Sequence, residues 1–193
     1  MPKSDFEAMA AAGFCQVFIG LESGSAAVRD AMKKGFSQAD FEYTTTQLFN
    51  NGIAQSWNIF VGFPTETDDD FEQTLYTIEK YSREFGKYLT VTPIGIFQAI
   101  TGSPVDTHNL FDLKREYVNG HTEISWGTPL NPSNTLAKRI ERWEKLIALV
   151  HKLDVSNRSA DKLALLTNFY KQVLCESKNT TKIISITKQE SSN

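Results

Sequence analysis

The chain has 193 residues, 40% of them hydrophobic, which suffices for one ordinary domain with a sizeable core or for part of a larger one. A formal net charge of −3 gives no electrostatic case for nucleic acid or an anionic membrane as a partner, since both need a basic surface. No apolar run approaches the roughly 18 to 20 residues of a membrane span. Met1-Pro2-Lys3-Ser4-Asp5 begins no secretory signal, so a cytoplasmic location is expected.

In chain order, Asp5 to Ala12 reads as the last turns of an Ala-rich helix ending at Gly13. Phe14 to Leu21 reads as a strand, with Val17, Phe18, Ile19 and Leu21 forming the short apolar run expected of a strand buried on both faces. Glu22-Ser23-Gly24-Ser25 follows at once. Ser23 or Ser25 can cap a helix over 25–34 closed by Gly35, and Ser37 a second over 37–50, with Phe41, Leu48 and Phe49 as its buried stripe. Ile53 to Phe63 repeats the pattern, Ile59-Phe60-Val61 leading into Gly62-Phe63-Pro64-Thr65-Glu66-Thr67. Thr67 then caps a helix to about Phe85 along the stripe Phe71, Leu75, Ile78, Tyr81. Asp68-Asp69-Asp70 is better explained as the acidic start of this helix than as a metal cluster.

Leu89 to Phe97 reads as a third strand, which Pro93 makes irregular or places near an edge. From Gln98 to Asn134 the periodicity loosens into turns, a functional loop region or a small irregular extension. Ser133 or Asn134 can cap a helix to about Leu153, and a further helix runs over 159–175. Trp126, Trp143 and Tyr170 form either an aromatic pocket or, the favoured reading, packed core. Residues 176–193 are expected as a frayed, mostly disordered tail. Cys15 and Cys175 belong to no Cys-x2-Cys or Cys/His cluster and read as reduced packing residues.

Two strands ending near Leu21 and Phe63, about forty residues apart with helices between, have the spacing of a right-handed parallel crossover. Both exits then face one rim. Glu22, Ser23 and Gly24 lie beside Gly62, Phe63, Pro64, Thr65 and Glu66, where carboxylates and backbone groups can bind the hydroxyls and amines of a small ligand. The alternative is that Gly62 and Pro64 only make a tight turn. No Gly-x-Gly-x-x-Gly opens a helix, no Gly-Lys-Ser/Thr cradles phosphate, and Glu22 stands where a nucleophile elbow needs Ser. His108, His121 and His151 are isolated, so no metal ligand and no catalytic residue is assigned.

Three blocks, Gly20-Leu21-Glu22-Ser23-Gly24-Ser25, Met32-Lys33-Lys34-Gly35 and Ile59-Phe60-Val61-Gly62-Phe63-Pro64-Thr65-Glu66-Thr67, resemble in order and spacing the second half of a radical S-adenosylmethionine (SAM) core domain. The nearest branch holds cobalamin-binding radical SAM proteins and methylthiotransferases. Asp68-Asp69-Asp70-Phe71 continues the likeness, and Thr101-Gly102-Ser103-Pro104 is similar to a turn that follows the next strand in these proteins. The resemblance implies an α/β fold with parallel strands over residues 1–105, half of a TIM-like (β/α) barrel. An irregular segment with C-terminal helices would follow over 106–175. It also implies that SAM lies along the rim, with Glu22 and Ser23 at its ribose or amino acid part, Lys34 at its carboxylate, Phe60 to Gly62 along its adenine, and Glu66 at the ligand or capping its own turn. Thr65 stands where Gly is usual in the family.

One departure stands against these matches. The family holds a [4Fe–4S] cluster on a Cys-x3-Cys-x2-Cys loop, and this chain has no such motif. The chain is therefore expected to contribute a SAM-binding rim without the cluster. Three accounts stay open: completion by a second chain carrying the cysteine loop, a truncated reading frame inactive alone, or a non-catalytic α/β module for a small molecule or protein. Self-association through an open sheet edge is a further expectation.

Overall fold

The computed structural model describes residues 1–115 and 121–190, with side chains through Lys178. Helix α1 (Lys3–Ala11) leads into strand β1 (Gln16–Glu22). Short α2 (Ala26–Ala31) and α3 (Gln38–Asn50) precede β2 (Ala54–Val61), and α4 (Asp68–Phe85) precedes β3 (Leu89–Ile96). The caps explain the boundaries. Ser25 accepts from the Val28 N–H, while Ser37 with Asp40 and Thr67 with Asp70 form capping boxes that satisfy the free N–H groups of α3 and α4.

The three strands are parallel, in the order β1-β2-β3, with Ile19 beside Trp57 and Trp57 beside Val91. Each link runs through helices, as a parallel pair requires. This is a mixed α/β fold, a portion of a (β/α) barrel. The register shifts between Ile19 and Glu22 and again after Ile59, next to Pro93 and Gly95.

One sheet face packs on the helices. Trp57 meets Phe41 and Tyr81 edge-on, with ring centroids 5.1 and 5.5 Å apart, and Ile59, Val61 and Val91 are fully buried. The other face carries Phe18, Asn58, Phe60, Thr92 and Ile94, exposed or half-buried. Phe18 is 71% exposed, so β1 is not buried on both faces as its apolar run suggests. It pairs on one side only among the described residues, with β2. A one-sided edge strand leaves part of its apolar sequence uncovered.

Beyond β3, α5 (Pro104–Thr107) and a two-residue antiparallel pair, β4 (Lys114–Arg115) with β5 (Trp126–Gly127), occupy the loose segment. Helix α6 (Leu136–Lys152) is capped by Thr135, not by Ser133 or Asn134, because the Asn134 amide is engaged with the carbonyl of Phe63. After α6 the chain meets the outer edge of β3. The Val91 N–H donates to Val155 (2.7 Å), and the Asn157 N–H donates to Val91 (3.1 Å). Helix α7 (Ala160–Glu190) runs past residue 175 into the stretch expected as a frayed tail. Trp143 and Tyr170 join the core: their rings meet edge-on at 5.8 Å, and the Tyr170 hydroxyl accepts from the Ile96 N–H. Cys15 and Cys175 are free thiols, but exposed rather than packed, since one precedes the edge strand and the other lies on an outer turn of α7. No helix among the described residues is long and apolar enough to cross a membrane.

Candidate functional site

The carboxyl ends of β1 and β2 open onto a common rim, as parallel pairing demands. Glu22 ends β1 with φ +66, a left-handed conformation uncommon outside glycine. Its Oε1 accepts from Lys34 Nζ at 3.1 Å, with both side chains largely but not wholly covered. The pair lies over Gly20, where an added Cβ would stand 2.8 Å from Glu22 Oε1 and 3.4 Å from Lys34 Nζ. Glu22 Oε2 is buried and has no hydrogen-bond partner among the described residues. A buried carboxylate oxygen without a donor is costly, so this atom is suited to receive one from a ligand.

Ser23 is turned the other way. It is fully buried, its Oγ lying 3.1 Å from Thr74 Oγ1 and accepting from the Ser25 N–H. Thr74 also accepts from the Gly24 N–H at 2.9 Å, and Gly24 is so close that a Cβ there would meet the Thr74 backbone at 2.6 Å. Buried Arg29 donates to the Ser23 carbonyl (2.8 Å) and to Gln38, with Phe36 and Phe41 against its guanidinium. Ser23 thus fastens the β1 exit to α4.

At the β2 exit, Gly62 has φ +83 and donates its N–H to Glu66 Oε2 at 2.6 Å. Glu66 is 1% exposed, and Arg142 Nη1 donates to the same oxygen at 3.0 Å. Burial pushes the Glu66 carboxyl up to about 7, outweighing the attraction of Arg142. Glu66 therefore closes its own turn. Phe60 faces the open side of the sheet beside Phe97, and a cavity of about 300 Å³ lies among Phe60, Ile94, Ile96, Phe97, Gln98 and Ile100.

The structure thus brings Glu22 and Lys34 into contact, puts Phe60 and Gly62 on the adjoining exit, and turns Ser23 and Glu66 inward. Asp68 pairs with Arg142 and Lys138, while Asp70 caps α4 and accepts from Ser25 Oγ at 2.6 Å. Sequence reasoning gave Gly20 and Asn134 no contact at the site and passed over Arg29, Thr74, Arg139 and Arg142. The arginines had one visible signal: Arg139 and Arg142 interrupt the apolar stripe of α6 between Leu136 and Leu146.

A profile of the Radical SAM superfamily matches residues 1–78, from α1 into α4. Residues 1–78 are thus similar to part of a radical SAM core. The chain is similar to threonylcarbamoyladenosine tRNA methylthiotransferase of Drosophila melanogaster, at 38% identity over 65 residues covering 33% of this chain and 12% of the relative. It is similar to the Danio rerio protein of the same name at 37% over 70 residues, 35% of this chain and 13% of that one. It also resembles tRNA-2-methylthio-N(6)-dimethylallyladenosine synthase of Kineococcus radiotolerans, at 40% over 62 residues, 31% and 12% of the respective chains. The chain therefore matches about an eighth of the length of these curated relatives.

Radical SAM proteins use SAM and a [4Fe–4S] cluster, and the two fit the residues present here differently. The cluster does not fit: two exposed cysteines, one in the loop before β1 and one on α7, replace no set of three thiolates, and the described residues contain no group of three His, Cys, Asp or Glu side chains able to hold a metal. SAM fits better, because Glu22 Oε2 lacks a donor and Lys34 stands beside it, matching a ligand that carries an amine, hydroxyls and a carboxylate.

Proposed function

We propose that this chain forms the SAM-holding part of a radical SAM enzyme core, and that strands bearing a Cys-x3-Cys-x2-Cys loop, supplied from outside this sequence, complete the sheet along β1. The observation that carries the reading is the Glu22–Lys34 pair with its donorless buried oxygen at the carboxyl end of β1. Lys34 takes the ligand carboxylate. Glu22 accepts from the amine or a ribose hydroxyl, and Phe60 to Gly62 lies along the adenine. Ser23 and Glu66 act through the loops they hold. The cluster chemistry of the family belongs to the portion with three thiolates, and alone this chain is inactive. The net charge of −3 offers no electrostatic support for tRNA contact by this chain itself.

The test is SAM titration by calorimetry, on the chain alone and on the chain co-purified with a co-expressed half-barrel that carries a Cys-x3-Cys-x2-Cys loop. The complemented protein is expected to bind SAM, and Lys34→Met to weaken binding about 10-fold or more, the loss of one charge-assisted contact. A complemented protein with cluster absorbance near the usual roughly 400 nm band but no SAM binding overturns the reading. Capture of a small molecule with no cluster-bearing partner favours the non-catalytic binding module instead.

A further inference from the structure

The β2 exit is held by side chains that lie beyond residues 1–78, the part that matches the superfamily. Asn131 Nδ2 donates to the Glu66 carbonyl at 2.8 Å, and Asn134 Nδ2 to the Phe63 carbonyl at 2.7 Å. Arg142 Nη1 donates to both the carbonyl and the Oε2 of Glu66, at 3.1 and 3.0 Å, while its Nε and Nη2 reach Asp68 Oδ1 at 3.3 and 2.9 Å. The stem of Arg139 fills the space where any residue but glycine at 62 would carry its Cβ. Its guanidinium sits 3.7 Å from the centroid of the Trp126 ring and donates to the carbonyls of Ile124, Trp126 and Asn134.

Asn134, Arg139, Arg142 and Glu66 are each 1% exposed or less. Two buried guanidiniums within one turn of a helix are a poor means of stabilising a fold, because apolar side chains of similar volume serve as well without the desolvation penalty. What the pair does supply is direction. A turn that points carbonyls and a carboxylate inward needs fixed donors facing it, and the planar fork of arginine engages several at once.

We infer that Arg142, with Arg139 and Asn134, is a positioning residue: α6 sets the backbone conformation of the β2 exit and, through it, the rim on which the proposed SAM site rests. The chain of contacts is short. Arg142 holds the Glu66 carboxylate, Glu66 holds the Gly62 N–H, and that bond holds Gly62 at φ +83 at the end of β2. The SAM consequence depends on the function proposed above, whereas the hold on the turn does not.

Amide hydrogen exchange on the full chain separates the two. Arg142→Met is expected to accelerate exchange at Gly62 about 10-fold or more, the loss of a bond to a charged group, with Trp57 and Val91 in the sheet unchanged. Glu66→Gln, which keeps an acceptor for Gly62, should stay close to the wild type. In the complemented protein, Arg142→Met is expected to weaken SAM binding by about the same factor. Should Arg142→Met fail to fold, Asn134→Ala carries the test through faster exchange at Glu66, whose N–H donates to the carbonyl Asn134 holds. Unchanged protection at Gly62 and Glu66 in folded variants overturns the inference, as does a loss spread evenly over the sheet. Faster exchange at Gly62 with unaltered SAM affinity overturns the link to the rim. A wild type that binds no SAM at all counts against the proposed function, and exchange at Gly62 still decides the positioning role.

Discussion

Glu22 and Glu66 end similar loops and have opposite surroundings. Glu22 retains a donorless oxygen beside a half-covered lysine, whereas both groups that donate to Glu66 Oε2 belong to the protein. The second arrangement has a pH signature. With the Glu66 carboxyl at about 7 in the folded chain and 4.5 as its ordinary value, the folded state keeps a proton between those limits that the unfolded chain has released. Stability from this group is therefore full below pH 4.5 and declines as pH rises through 7. Comparing urea unfolding of the wild type and Glu66→Gln at pH 5 and 7.5 should show the wild type losing on the order of 1–3 kcal/mol relative to the variant. A difference that does not vary with pH would mean that Arg142 keeps the carboxylate ionised throughout.

Among the elements, the two outer strands are managed differently. The β3 edge is met by the chain after α6, which exchanges two backbone hydrogen bonds with Val91, while β1 presents Phe18 at 71% exposure and pairs on one side only among the described residues. Unpaired edges invite added strands. Phe18→Asp should therefore leave the stability of the isolated chain within about 0.5 kcal/mol, as exposed substitutions usually do. The same change should reduce recovery of a co-expressed cysteine-loop half-barrel in pull-downs. Equal recovery with both chains would remove β1 as the joining edge. The short helices show how local chemistry sets boundaries: Ser37 and Thr67 each reach an aspartate three residues on, a pattern visible before any coordinates.

For the molecule as a whole, what could be read in advance was whatever the chain decides locally. The starts of α2, α3 and α4, the strand–loop–helix grammar and the shared rim follow from caps, periodicity and crossover spacing, and the three blocks lie within the residues matched to the superfamily. The hold of α6 on the β2 exit was not readable, because Arg142 meets Glu66 across 76 positions and nothing near either residue announces the other. Nor could Phe18 be placed, since an apolar residue on a strand looks the same whether or not something covers it. The position of Ser23 turned on Thr74, a partner 51 residues away whose hydroxyl has no pattern of its own.

The hydrogen bonds between Val91 and residues 155–157 have a consequence for how copies of this chain can meet. With Val91 engaged in this way, addition of another copy's β1 at the β3 margin is disfavoured, which works against head-to-tail growth into fibres. We propose that copies instead join β1 against β1 about a twofold axis, antiparallel and self-limiting. Sedimentation of the isolated chain should accordingly find monomers and dimers whose proportions shift with concentration, and a ladder of larger species would show that the margin opens in solution.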